Sequence, residues 1–232
     1  DMNVLDVWSL FSRCLWLFLL GGGLGVIVET VWWRLRYGFW QAHFALLWLP
    51  LCTVYGFGAV GCYLGAVIFY EQSTMFRFVA YALAGTLVEF VGGFLLDAGL
   101  KMRAWDYRDT FLNIRGYVNG LMTVLWGFLG LGFACLVPGL NDLFALLDGP
   151  VYQLVTVAAA AVLLADVLAT SACLVRWSKR HQGMAPKTKL DRFIDCRWDD
   201  KAMARRFVNW HFTDEPDTAR SRHTALNLQE QT

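Results

Sequence analysis

Five stretches of this chain, approximately 9–33, 44–70, 77–100, 117–140 and 151–175, stay apolar for longer than the roughly 20 residues that an α-helix needs to cross about 30 Å of hydrocarbon. In lipid every backbone polar group must be satisfied within the protein, so runs of this length fold as spanning helices set side by side. The pattern predicts an all-α, polytopic membrane helix bundle of about five transmembrane helices. Composition points the same way. Hydrophobic residues make up 57% of the 232, with 11 Trp and 17 Phe, and the mean hydropathy is +0.43, which excludes an ordinary soluble domain. The first run has no basic segment before it and continues straight into Trp32, Trp33 and Arg34, so it reads as a retained helix rather than a signal peptide.

Charge sets the expected orientation. Residues 1–175 hold 8 Lys/Arg and 11 Asp/Glu, whereas 176–232 hold 12 and 8. Loop 34–43 carries Arg34 and Arg36, loop 101–116 carries Lys101, Arg103, Arg108 and Arg115, and the segment after 175 opens with Arg176, Lys179 and Arg180. The alternate loops, 71–76 and 141–150, have almost none. Because cytoplasmic loops accumulate Lys and Arg, the N-terminus is expected outside and the C-terminus inside a bacterial inner (cytoplasmic) membrane. Residues 1–177 then form the bundle and 178–232 a cytoplasmic tail. Within that tail, 188–212 has the composition to hold a short amphipathic helix on the inner leaflet, and about 213–232 reads as disordered.

Three carboxylates interrupt the apolar runs: Glu29, Glu89 and Asp166. Such a group costs several kcal/mol at membrane depth and normally faces a protein interior or a wet cavity. Gly21, Gly25 and Glu29 share one helix face, and Gly85, Glu89, Gly93 and Asp97 share another, so these acids lie on faces where small residues allow close helix approach. At 1.5 Å per residue, Glu29 lies roughly 6 Å, Glu89 roughly 16 Å and Asp166 roughly 14 Å inside the cytoplasmic ends of their helices. A shared inward-facing cavity is the leading expectation. The alternative is that each acid is tied to a backbone donor, a Trp or Tyr, or an arginine of loop 101–116.

That loop holds Trp105-Asp106-Tyr107, Asn113 and Gly116. Its mixture of aromatics, alternating charge and an Asn suits a structured interfacial or re-entrant element. Together with Glu29, Gly38-Phe39, the run Pro50-Leu51-Cys52-Thr53-Val54-Tyr55-Gly56-Phe57-Gly58, Leu87-Val88-Glu89-Phe90, Trp126-Gly127 and Asp166, it resembles the bacterial putative ABC transporter permease family over about residues 20–175. The chain departs from that pattern at Leu49, Thr53, Arg108 and Tyr117. The resemblance implies a small multi-spanning protein that moves a small solute or lipid-like molecule. Its cavity candidates are Glu29, Tyr55, Glu89, Asp106, Tyr107, Asn113, Trp126 and Asp166, with the carboxylates binding a cation or shuttling protons. An intramembrane enzyme acting on a lipid-linked substrate, with Glu89 or Asp106 as general acid/base, and a non-catalytic membrane subunit are the other readings.

Other chemistry is missing from the sequence. There is no G-x-x-x-x-G-K-[ST] loop, so ATP coupling would need a separate ATPase subunit. His43, His181, His211 and His223 show no zinc spacing, and none of the six cysteines forms a C-x-x-C pair, so neither a metal nor a cofactor is expected. The tail mixes acids among its basic residues, which argues against nucleic acid. Membrane lipids and a homodimer or hetero-oligomer are the expected partners, since five helices enclose little volume.

Overall fold

A computed structural model describes residues 7–147 and 149–215. The segment expected to be disordered lies, from residue 216 on, outside these residues. Four long helices cross the molecule: α1 (Val7–Tyr37), α3 (Thr74–Leu100), α4 (Gly120–Leu146) and α5 (Pro150–His181). Only 22% to 28% of their most apolar windows is buried inside the protein, so most of their hydrocarbon faces outward, as lipid-facing helices require.

The second predicted span is shorter than expected. Within 44–70 only α2 (Thr53–Ile68) is helical, about 24 Å long. The first part of that run, 45–49, forms a series of bends leading to Pro50. Hydropathy cannot distinguish a helix from an apolar loop, and residues before a proline are biased away from the helical region.

Caps fix the other boundaries. Ser73 Oγ accepts from Phe76 N at the start of α3, and Lys101 ends that helix in the left-handed region at φ 57°. Asn119 Oδ1 accepts from Met122 N at 2.7 Å to start α4. Helices α1 and α2 pair closely, as do α3 and α4, and α2 joins the two pairs; α5 stands at the side and touches α1 and α3 lightly.

Residues 189–212 hold two short helices and a strand. They fold as α6 (Lys189–Arg197), α7 (Asp200–Arg206) and a two-residue strand, β2 (His211–Phe212), which pairs antiparallel with β1 (Met102–Arg103). α6 opens with a capping box between Thr188 and Asp191. The unit buries Ile194, Met203, Phe207 and Phe212 against Leu47, Met102, Cys173, Leu174 and Trp177. On its polar side Arg176 makes a two-pronged bond to Asp195 (2.8 and 2.7 Å), and Arg180 reaches both Asp195 and Asp200 at 2.7 Å. The tail up to Glu215 is thus folded against the end of the bundle where α1, α3 and α5 finish.

Candidate functional site

Glu89 sits midway along α3 and is 6% exposed. Glycine brings its neighbours in. A Cβ at Gly85, one turn before it, would lie 2.2 Å from Trp126 Cγ, and one at Gly58 of α2 would lie 2.5 Å from the same indole. Helices α2, α3 and α4 therefore close around Trp126 only because both positions lack a side chain. That indole lies beside the Glu89 carboxylate. The second carboxylate oxygen, Oε2, is buried without a hydrogen-bond partner.

Tyr55 of α2 stands 6.1 Å from Trp126, ring centre to ring centre, in the space left by Gly25 of α1. One turn beyond Gly25 is Glu29, close enough for its charge to act on Glu89, Tyr55 and Tyr107. Tyr107 comes from the loop between α3 and α4 and is turned inward: burial, followed by the nearby Glu89, Tyr55 and Glu29, pushes its hydroxyl above the ordinary phenol range. Five of the eight sequence candidates thus meet in one place: Glu29, Tyr55, Glu89, Tyr107 and Trp126.

The sequence reading missed a partner. His43 Nδ1 lies 3.3 Å from Glu29 Oε2 and its Nε2 lies 3.2 Å from the Gln41 amide nitrogen, while its ring meets Trp33 edge-on at 4.7 Å. A chain Gln41–His43–Glu29 therefore leads toward the buried centre from the loop between α1 and α2. A lone His ahead of an apolar run carries no periodic signal, so only its proximity in space reveals it.

A second polar network surrounds the entry to the loop. Asp97 Oδ2 accepts from Tyr117 Oη at 2.7 Å and from Arg103 Nη2 at 3.0 Å, and Arg103 also donates to Arg115 O at 2.9 Å. Asp106 accepts from Arg108 Nε at 2.9 Å and faces Arg103 at 3.7 Å. Gly116, at φ +75°, passes directly over these groups: a Cβ there would be 2.7 Å from Asp106 Oδ1. Asn113 donates to the carbonyls of Arg108 and Thr110, both at 3.0 Å, and closes the turn. Asp106 and Asn113 therefore shape the loop that presents Tyr107.

A family model described as Putative ABC-transporter type IV matches residues 16–171. The chain belongs to this family. The match covers most of α1, all of α2 to α4 and α5 as far as Ser171, and so takes in every residue of the Glu89 cluster. Among the curated proteins and the solved structures, none matches the chain. This member of a transporter family is a membrane protein whose spanning helices converge on a buried acid. Among its described residues no group of three His, Cys, Asp or Glu side chains is arranged to hold a metal.

Asp166 belongs to a different construction. Fully buried on α5, its carboxylate accepts from the backbone N–H groups of Leu47, Trp48 and Leu49 at 3.1, 3.1 and 2.6 Å, and from Thr170 Oγ1 at 3.0 Å. From the other side Arg206 of α7 donates to the carbonyls of Leu46 (2.8 Å) and Leu49 (3.0 Å) and lies 4.0 Å over the Phe44 ring. The loop that shortened the second span is thus held through its N–H groups by an acid and through its C=O groups by an arginine.

Proposed function

We propose that this protein is the membrane-embedded part of a bacterial inner-membrane transporter, with its C-terminus inside, and that Glu89 takes up and releases the cation, a proton in the simplest case, on which transport depends. The buried Glu89 Oε2 without a hydrogen-bond partner carries this reading. A carboxylate oxygen shut away from water with no donor is costly unless a proton or cation completes it. Trp126 stands beside the carboxylate, Tyr55 and Tyr107 enclose the group, and the contacts Gln41–His43–Glu29 lead toward it from the loop side. Family membership supports transport as the setting. Coupling to ATP would come from a separate subunit, since this chain has no phosphate-binding loop, and a dimer would supply the volume that five helices lack.

Asp106 and Asn113 act in this scheme by positioning Tyr107, and Asp166 by holding the loop that leads into Cys52 and Tyr55. Labelling tests the proposal. A hydrophobic carbodiimide, which attacks carboxyl groups that hold a proton in apolar surroundings, is expected to modify Glu89 in the folded full-length protein, as read by peptide mass spectrometry, with the signal absent in Glu89→Gln. Folded protein in which Glu89 stays unmodified, while other acids react, contradicts it.

A further inference from the structure

The opposite end of the bundle, where α1 begins and α4 ends, holds Arg13, whose guanidinium lies 5.8 Å over the Phe144 ring and pairs with no carboxylate among the described residues. Arg13 donates from Nη1 to Tyr63 Oη at 3.0 Å and to Asn141 Oδ1 at 2.9 Å, and Tyr63 Oη donates to the same Asn141 oxygen at 3.0 Å. All of these partners are neutral. Among the described residues no ion pair reaches Arg13. The described carboxylates near the ends of α2 and α4, Glu71 and Asp142, are both exposed, and Glu71 takes Tyr70 Oη. A second arginine at this end, Arg77, has a buried Nε with no hydrogen-bond partner. Arg13 is only half-buried, and its Nε and Nη2 are not among the enclosed polar atoms. Its fork therefore has donors left to offer.

The depth of the group matters. Arg13 lies about 9 Å inside the start of α1, and Tyr63 and Asn141 each about 7 Å inside the ends of α2 and α4. With 27 residues, α4 is about 40 Å long, and overruns a 30 Å hydrocarbon core by about 5 Å at each end. Three residues from three helices therefore meet a few ångströms beneath the headgroup boundary, where the phosphates of the lipids lie.

We propose that Arg13, held by Tyr63 and Asn141, forms an anion site for a phosphate group presented at this membrane face. Guanidinium matches phosphate through paired N–H donors, and Tyr63, 1% exposed, fixes the arginine's position from behind. The phosphate can belong to a phospholipid or be free.

The experiment uses the full chain in a phosphate-free maltoside detergent, and follows its melting temperature as phosphatidylglycerol or inorganic phosphate is added. The key variant is Asn141→Asp, which places a carboxylate against the guanidinium and answers its charge internally. It is expected to fold at least as well as the wild type and to respond at least tenfold more weakly to the added phosphate compound, with Arg13→Gln responding as weakly. Stabilisation of the wild type by phosphatidylglycerol alone assigns the site to lipid; stabilisation by inorganic phosphate as well assigns it to a free anion. No stabilisation of the wild type by either, or an equal response in wild type and Asn141→Asp, overturns the proposal.

Discussion

The Asp166 carboxylate holds the backbone N–H of Leu49 at 2.6 Å across 117 residues of chain. The acid on α5 thereby fixes the path of the loop that enters α2, and with it Cys52 and Tyr55.

Removing that acceptor strands the N–H groups of Trp48 and Leu49 at about 1–3 kcal/mol each, while Leu47 N–H keeps Thr170 Oγ1 at 2.9 Å. Asp166→Ala is therefore expected to cost at least about 2 kcal/mol, and Asp166→Asn more than an isosteric change would suggest, because its NH2 turns a donor toward the loop's own donors. Thermal unfolding in detergent measures both. A melting temperature unchanged in Asp166→Ala counts against the anchoring role.

The carbonyl side of the same loop depends on Arg206. Its planar fork reaches two carbonyls from separate nitrogens, a spread that a lysine's single nitrogen does not reproduce, so Arg206→Lys is expected to speed amide hydrogen exchange across 44–51 several-fold, while exchange in α4 stays as it was. Equal protection of 44–51 in the two proteins would rule this out.

The glycines around Trp126 predict a contrast between near neighbours. In Gly58→Ala the new methyl would press on the indole from 2.5 Å, whereas nothing lies within 4 Å of a Cβ at Gly61. Gly58→Ala is expected to lose about 1–3 kcal/mol through overpacking, and Gly61→Ala to stay near the wild type; comparable melting temperatures for the two variants would refute the packing.

Much of this was legible in the sequence. Apolar length gave the spans, and acids at helical spacing from glycines marked the faces on which α1 packs against α2 and α3 against α4, because small residues and buried charge leave a local pattern. The partners of Asp166 left none. They are backbone N–H groups of Leu47, Trp48 and Leu49, which any residue but proline supplies, so an anchoring acid and a cavity acid look alike in one dimension. The shortening of α2 was hidden for a related reason: 44–52 is as apolar as a helix, and only its hydrogen bonds to Asp166 and Arg206 show that it is a loop. In the tail, the mixed charges read as an interfacial helix because the pairing of Arg176 and Arg180 with Asp195 and Asp200 spans a turn of chain that periodicity does not see.

Acid is expected to loosen the tail. Hydrogen bonds from Arg176, and then from Arg180, hold the Asp195 carboxyl below the usual aspartate range. A lowered folded-state pKa contributes stability above the unfolded value, roughly pH 4, that is lost as pH falls through the folded value. Pepsin cleavage within 185–200 should therefore rise as pH drops below about 4, and Asp195→Asn should loosen the same segment to trypsin at neutral pH. Cleavage that is flat with pH, together with an Asp195→Asn tail as resistant as the wild type, would contradict this.

The central claim is that Glu89 exchanges a proton or other cation rather than merely holding the helices together. Its most direct test is proton flux in proteoliposomes containing the full-length chain, followed by an internal pH dye under an imposed gradient, with folding checked by thermal unfolding. Glu89→Gln keeps the volume and the hydrogen-bonding capacity and loses the exchangeable charge. The account predicts a folded Glu89→Gln protein with flux reduced to the level of empty vesicles; flux equal to that of the wild type would contradict it.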